Sequence, residues 1–241
     1  MITPNWNAPT HIKAFSTTRV GGASEAPFYS NNLGMHVGDD ANSVAQNRAK
    51  LALELPQLPL WLDQQHTTVV VNNPPEQCSQ TAIIADGSFT RLPNTVCCVM
   101  TADCLPILLT DKQGTQVAAV HAGWRGLCDG IIENAVAKFS GNPEDILAWF
   151  GPAIGPLAFE VGEDVLNQFC HHYPSDKDCF KPHGDRFLAN IYQLATKRLN
   201  RLGIFDISGG ELCTYQQQDL FFSYRREGQT GRMASLIWIN K

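Results

Sequence analysis

The chain has 241 residues, with 44% hydrophobic and 17% charged side chains and a formal net charge of −5. That length fits one large domain or two small ones, and the composition excludes intrinsic disorder. Weak acidity with scattered Lys and Arg argues against attraction to nucleic acid or anionic membrane, and no apolar run approaches the roughly 18 residues that span a bilayer. The first residues, Met1 to Asn7, lack a basic segment followed by an apolar one, so no secretory signal is visible. There are eight cysteines, at 78, 97, 98, 104, 128, 170, 179 and 213, and no CxxC pair. Reduced thiols in a cytoplasmic protein are therefore expected, rather than a disulfide framework or a zinc ribbon. A monomer or weak homo-oligomer is expected.

His11 to Thr18 alternates like a strand, and Arg19 to Asp40 is glycine-rich loop. Ala41 to Leu55 places Val44, Leu51 and Leu55 at helical spacing after an Asp40 or Asn42 cap, and Pro56 and Pro59 end it. A β-branched run through Val69, Val70 and Val71 reads as a strand with His66 at its start. Asn72 to Thr81 is a polar loop, Ala82 to Gly87 a short strand and turn, and Thr95 to Met100 a buried strand. The periodicity predicts a helix over Leu127 to Phe139, a strand over Ile146 to Phe150, and helices over Glu163 to Tyr173 and Phe187 to Leu202. A last β segment begins at Glu211, continues through Phe221 to Arg226 and ends as Met233 to Ile239. Nothing divides the chain, so one α/β (α+β) domain over residues 1–241 is expected.

The most informative stretch is central. Two apolar runs, Cys104 to Leu109 and Val117 to His121, flank a turn at Asp111 to Gly114 and read as a hairpin of buried strands. A hairpin sets the start of one strand beside the end of the other. Cys104 and His121, seventeen residues apart, therefore meet. Thiolate beside imidazole makes a metal site or a nucleophile with its base. His66, Cys104 and His121 together would leave a metal one open position, the catalytic arrangement. The blander possibilities are a small core cysteine and a merely hydrogen-bonded histidine. The other cysteines read as inert thiols, and His171-His172 as surface.

Several blocks resemble the YfiH-type laccase-domain family: Asn32-Leu33-Gly34, His36 to Asp40, Thr101-Ala102-Asp103-Cys104, His121-Ala122-Gly123-Trp124-Arg125-Gly126, Gly151 to Gly155, Phe222 to Arg226 and Thr230 to Ala234. The likeness covers nearly the whole chain. Family members have been called both multicopper polyphenol oxidase and purine nucleoside phosphorylase. The resemblance implies a layered β-sandwich flanked by helices, similar to the cytotoxic necrotizing factor catalytic domain. It also implies a zinc site on His66, Cys104 and His121. The implied reactions are phosphorolysis of adenosine, inosine, guanosine and methylthioadenosine, and adenosine deamination. Two departures stand out: Thr67 follows the first histidine where relatives usually carry Gly, and Phe159 stands where many carry Tyr.

Phosphorolysis needs an anion pocket. Arg125 with the Gly123–Gly126 backbone is the first candidate for phosphate, with Arg48 or Arg19 as helpers. Asp103, pointing away from Cys104 in a strand, would act through its neighbours, and Glu160 is a candidate proton shuttle. A copper oxidase is a rival, because one Cys and two His can hold copper. With seven His and no His-x-His pair, a multicopper cluster is not expected. A second rival is metal-free Cys104–His121 hydrolysis of a cell-wall muropeptide precursor. A third is a non-catalytic nucleoside sensor.

Overall fold

The computed structural model describes residues 1–73 and 83–241. The loop expected at Asn72 to Thr81 lies mostly outside them, as do Ala82 and Cys78. Successive strand residues face opposite sides of a sheet, and that alternation sets the layering. A six-stranded sheet runs in the order β13 (Asp206–Gly209), β9 (Ile146–Phe150), β7 (Leu105–Asp111), β8 (Val117–Ala122), β5 (Gly87–Thr90), β3 (Val70–Asn72). A three-stranded antiparallel sheet runs β1 (Ile12–Ser16), β14 (Met233–Ile239), β6 (Cys97–Thr101).

One face of the large sheet presents Leu108, Ala119 and Trp149, which pack against Cys97, Val99 and Ile237 of the small sheet. The other face presents Ile107, Leu109, Ala118, Val120 and Phe150. These meet apolar residues of α2 (Trp124–Asp129), α3 (Ile131–Val136), α4 (Glu163–His172) and α5 (Ile191–Arg201). The small sheet's outer face, with Cys98, Met100, Leu236 and Trp238, packs on Leu51 of α1 (Ala41–Ala52). The layers are therefore helix, sheet, sheet, helices. Strands covered on both faces explain why the central runs read as continuously apolar. Two smaller sheets complete the described residues: β10 (Glu160–Val161), β12 (Arg186–Ala189) and β11 (Phe180–His183), and the pair β2 (Leu62–Asp63) with β4 (Ile83–Ile84).

Asp40 caps α1, its carboxylate accepting from Ser43 N at 2.9 Å. Four local expectations need correction. The helix over 127–139 is two helices, because Gly130 takes φ 104° and its N–H closes on Gly126 O. The helix expected from Phe187 starts at Ile191. Residues 186–189 instead pair with β11 and β10, and Asn190 caps the helix by accepting from Gln193 N. The strand after His66 begins only at Val70, with His66 itself in a left-handed bend. Residues 211–226 form no strand. Cys213 makes a single bridge to Ala153, and the chain then winds into α6 (Tyr224–Glu227), capped by Ser223. The strand at 206–209 had no clear signal. It is short, polar in part, and sits on the sheet edge beside β9.

Candidate metal centre and cavity

The hairpin does what the spacing requires. Leu105 pairs with Ala122 and Pro106 with His121, so Cys104 leaves one strand beside the place where His121 ends the other. A residue not singled out in the sequence, Asp86, brings in the third member. Its side chain is fully buried just ahead of β5. Its carboxylate accepts from His66 N at 3.0 Å, Thr67 N at 2.6 Å, Thr67 Oγ1 at 2.7 Å and, more weakly, Gln65 N at 3.3 Å. The 65–67 turn is thus wrapped around one carboxylate, which holds His66 at φ 60°. The same Asp86 lies 2.7 Å from His121 Nδ1, which leaves Nε2 as the free imidazole nitrogen.

Cys104 Sγ is 3.6 Å from His66 Nε2, and the two imidazole rings stand 4.9 Å apart. All three ligand atoms lie within 4.8 Å of one another. Tetrahedral zinc with ordinary bond lengths separates sulfur and nitrogen ligands by about 3.6 Å. The donor set, its spacing and the carboxylate behind His121 all fit a metal held by three protein ligands. Gly123 makes the fit possible. A Cβ there would lie 2.3 Å from His66 Cδ2 and 3.2 Å from Cys104 Sγ.

Electrostatics follow from burial and proximity. Burial pushes the Asp86 carboxyl up, but hydrogen bonds from His121 and Thr67 outweigh it and hold it at about 2. Burial also pushes the Cys104 thiol up. The His121 imidazolium outweighs that, with hydrogen bonds from His121 and His66, and brings the thiol down to about 6. For His121 burial lowers the value, while the Cys104 thiolate and Asp86 raise it to about 9. Without metal the pair is thiolate–imidazolium near neutral pH. Burial pushes the Cys97 thiol up to about 12 and Cys128 and Cys179 up to about 11, as inert thiols require.

The three ligands open onto a cavity of about 520 Å³, within the usual range for small-molecule sites. Trp124, Phe159 and Tyr224 give it aromatic walls, and His36, Gln64, Arg125, Arg225 and Arg232 line it too. Asp103 is also there, but not in a strand: it takes φ 88°. Its carboxylate accepts from Thr214 Oγ1 at 2.6 Å, Ser223 Oγ at 3.0 Å and Arg225 N at 2.7 Å. Those bonds tie the residue before Cys104 to the start of α6.

Of the arginines named from sequence, Arg125 lines the cavity, stacked over Trp124 at 4.3 Å. The structure does not bring Arg48 or Arg19 to it. Arg48 donates to Leu33 O and lies over Trp61 at 3.9 Å. Arg19 is consumed by Glu227 at 2.6 Å and by the carbonyls of Tyr29 and Gln218. Glu160 faces His183 and Arg186 on the surface. The anion pocket expected from the helix after Gly123 also shrinks, since α2 is only six residues long. Arg225, Arg232 and Asp86 were missed as site residues. Arg225 and Arg232 lie in two of the family-like blocks, but only the chain path shows where they point.

Residues 13–240 match the family model described as multi-copper polyphenol oxidoreductase laccase. The chain belongs to that family. Among its relatives, a Haemophilus influenzae protein named purine nucleoside phosphorylase is 53% identical, over 98% of each chain. Escherichia coli YfiH, also named purine nucleoside phosphorylase, is 50% identical over 99% of this chain and 98% of its own. A crystal structure of a Neisseria meningitidis protein matches with TM-score 0.95 and 44% identity, covering 100% of this chain and 99% of the other. The chain thus matches these relatives over nearly its whole length, and shares its mixed α/β fold with the solved structure.

Proposed function

We propose that the chain is a zinc-dependent purine nucleoside phosphorylase of the cytoplasm, acting on adenosine, inosine, guanosine and methylthioadenosine. One observation carries the reading: a metal-competent His66–Cys104–His121 trio lines the same nucleoside-sized cavity as Arg125, Arg225 and Arg232, none of which forms an ion pair among the described residues. The names of the relatives support it. We also propose that the layered fold is similar to the catalytic domain of cytotoxic necrotizing factor, as the sequence resemblance implies. Zinc, when bound, supplies Lewis-acid polarisation at the cavity floor.

The chain's own residues do the rest. Asp86 fixes the His121 tautomer and the 65–67 turn together, so the ligands are pre-set. Trp124, Phe159 and Tyr224 offer faces on which a purine stacks. The arginines hold phosphate against the ribose. A phosphate oxygen bonds C1′, the C1′–N9 bond breaks, and its electron pair leaves with the base.

The family description points to copper, but of seven histidines only His36, His66 and His121 line the cavity, too few for a multicopper cluster. Met100 also lines the cavity, yet its sulfur is 3.9 Å from an Arg48 nitrogen. Zinc suits the trio better. Adenosine deamination would use the same metal but needs a proton-shuttling group. Among the described residues the acidic one lining the cavity, Asp103, already accepts three hydrogen bonds, which favours phosphorolysis. A second reading, Cys104–His121 hydrolysis of a muropeptide precursor, has the lowered Cys104 thiol in its favour.

The test is metal analysis beside product analysis. Purified protein is expected to hold about one zinc per chain, and to release adenine and ribose 1-phosphate from adenosine only when phosphate is present. His66→Ala should lose zinc and turnover together. Phosphorolysis that survives chelators and this substitution would overturn the zinc requirement, whereas no metal and no purine product, with muropeptide hydrolysis that survives chelators, would shift the reading to the cysteine hydrolase.

A further inference from the structure

Ten arginines occur in the chain, and most spend their guanidinium on the fold. Arg19, Arg198, Arg201 and Arg226 form ion pairs with Glu227, Glu133, Asp176 and Glu227 respectively. Two that line the cavity behave differently. Arg225 donates Nη1 to Glu160 O at 2.8 Å and, more loosely, to Ala158 O at 3.5 Å. Arg232 donates Nη1 to Thr230 O at 3.0 Å and Gly231 O at 3.1 Å. Among the described residues, no group accepts from Nε or Nη2 of either, and no carboxylate pairs with either. The Nε–Nη2 edge is the face of a guanidinium that grips an oxyanion through two parallel hydrogen bonds.

Both side chains are also held in place before any ligand arrives. Asp103 accepts from Arg225 N at 2.7 Å, fixing its backbone beside Cys104. Gly34 makes room for Arg232, since a Cβ there would lie 2.9 Å from Arg232 Cγ. Anchoring one nitrogen on backbone carbonyls removes side-chain freedom that binding would otherwise cost. Among the described residues Arg125 has no such anchor, and it stacks on Trp124.

We propose that Arg225 and Arg232 form the oxyanion subsite of this cavity, each gripping the phosphate co-substrate through its free Nε–Nη2 edge, with Asp103 as a positioning residue for Arg225. This deepens the phosphorylase reading and rests on it for the identity of the anion. It moves the main grip from Arg125 to the C-terminal segment.

The experiment titrates inorganic phosphate into the zinc-loaded protein by calorimetry, with zinc content and thermal melting measured on every variant. Arg225→Met and Arg232→Met are each expected to weaken phosphate binding at least tenfold with zinc content unchanged. Arg225→Lys and Arg232→Lys, which keep charge and fold but lose the two-pronged grip, should show intermediate losses. Arg186→Met, an exposed arginine outside the cavity, should bind phosphate normally. In turnover assays the KM for phosphate should rise while the KM for nucleoside stays within about twofold. Wild-type affinity in both Met variants, or in both Lys variants if the Met forms do not fold, would overturn the subsite. So would the absence of phosphate binding to the wild type. If phosphate binds through these arginines but nucleosides are not cleaved, the subsite stands and the phosphorylase reading falls. If nucleosides are cleaved at unchanged phosphate KM in the variants, the reading stands and the subsite falls.

Discussion

Replacing Asp86 with Asn tests whether one buried carboxylate holds the whole metal centre. The carboxylate receives hydrogen bonds from three backbone N–H groups, from the Thr67 hydroxyl and from His121. Asn keeps one acceptor oxygen and turns an NH2 toward donors that cannot accept from it. Buried hydrogen bonds to a charged group contribute about 1.5–3 kcal/mol each but do not add. Removing one member of a buried ion pair costs about 3–5 kcal/mol, which is the loss of stability expected. The His66 turn and the His121 tautomer should loosen together, and loss of such a partner lowers metal affinity roughly 10–100-fold. The assay is zinc affinity by chelator competition, with urea unfolding of the metal-free protein.

The sign with pH is also fixed. The folded Asp86 pKa of about 2 is depressed, so its contribution is present above the unfolded value of about 3.9. It is lost as pH falls through about 2. The metal-free Asn variant should lack that acid dependence. A variant with unchanged zinc affinity and an unchanged acid transition would refute the reasoning.

Gly123→Ala should be tolerated by the backbone, whose φ is −63°. It should still displace the His66 ring and lower zinc affinity at least tenfold, read by the same competition assay. In metal-free protein, alkylation of Cys104 followed by peptide mapping should reach half its maximal rate near pH 6; a midpoint near 8.5, that of an ordinary thiol, would contradict the thiolate–imidazolium pair. Thr67→Val removes the 2.7 Å hydroxyl bond to Asp86 and should cost about 1–3 kcal/mol in urea unfolding while retaining zinc. Leu108→Ala, buried between the two sheets, should cost about 2–5 kcal/mol without changing metal affinity, which separates core stability from the site.

Local pattern alone determined the central hairpin. Two apolar runs and a four-residue turn leave few registers, and a one-residue slip would turn each strand's side chains to the wrong face. That is why Cys104 and His121 could be placed together from the sequence, and why the Asp40 cap and α1 were legible. His66 is a candidate from its place at the start of a β-branched run, and the family resemblance makes it the third ligand. Its role in the structure depends on a backbone conformation, φ 60°, that no periodicity announces. Only the tertiary structure decided the rest. Asp86 sits in a short segment whose composition says turn, and its importance comes from donors on the 65–67 turn and on β8. Residues 187–189 look helical by periodicity but, with Arg186, become strand because β11 and β10 offer them hydrogen bonds. The arginines show the limit most plainly. Arg19, Arg48, Arg125, Arg225 and Arg232 are chemically identical in sequence. Whether a guanidinium is spent on the fold or left free for an anion depends on which carbonyls and carboxylates the folded chain brings to each of its nitrogens.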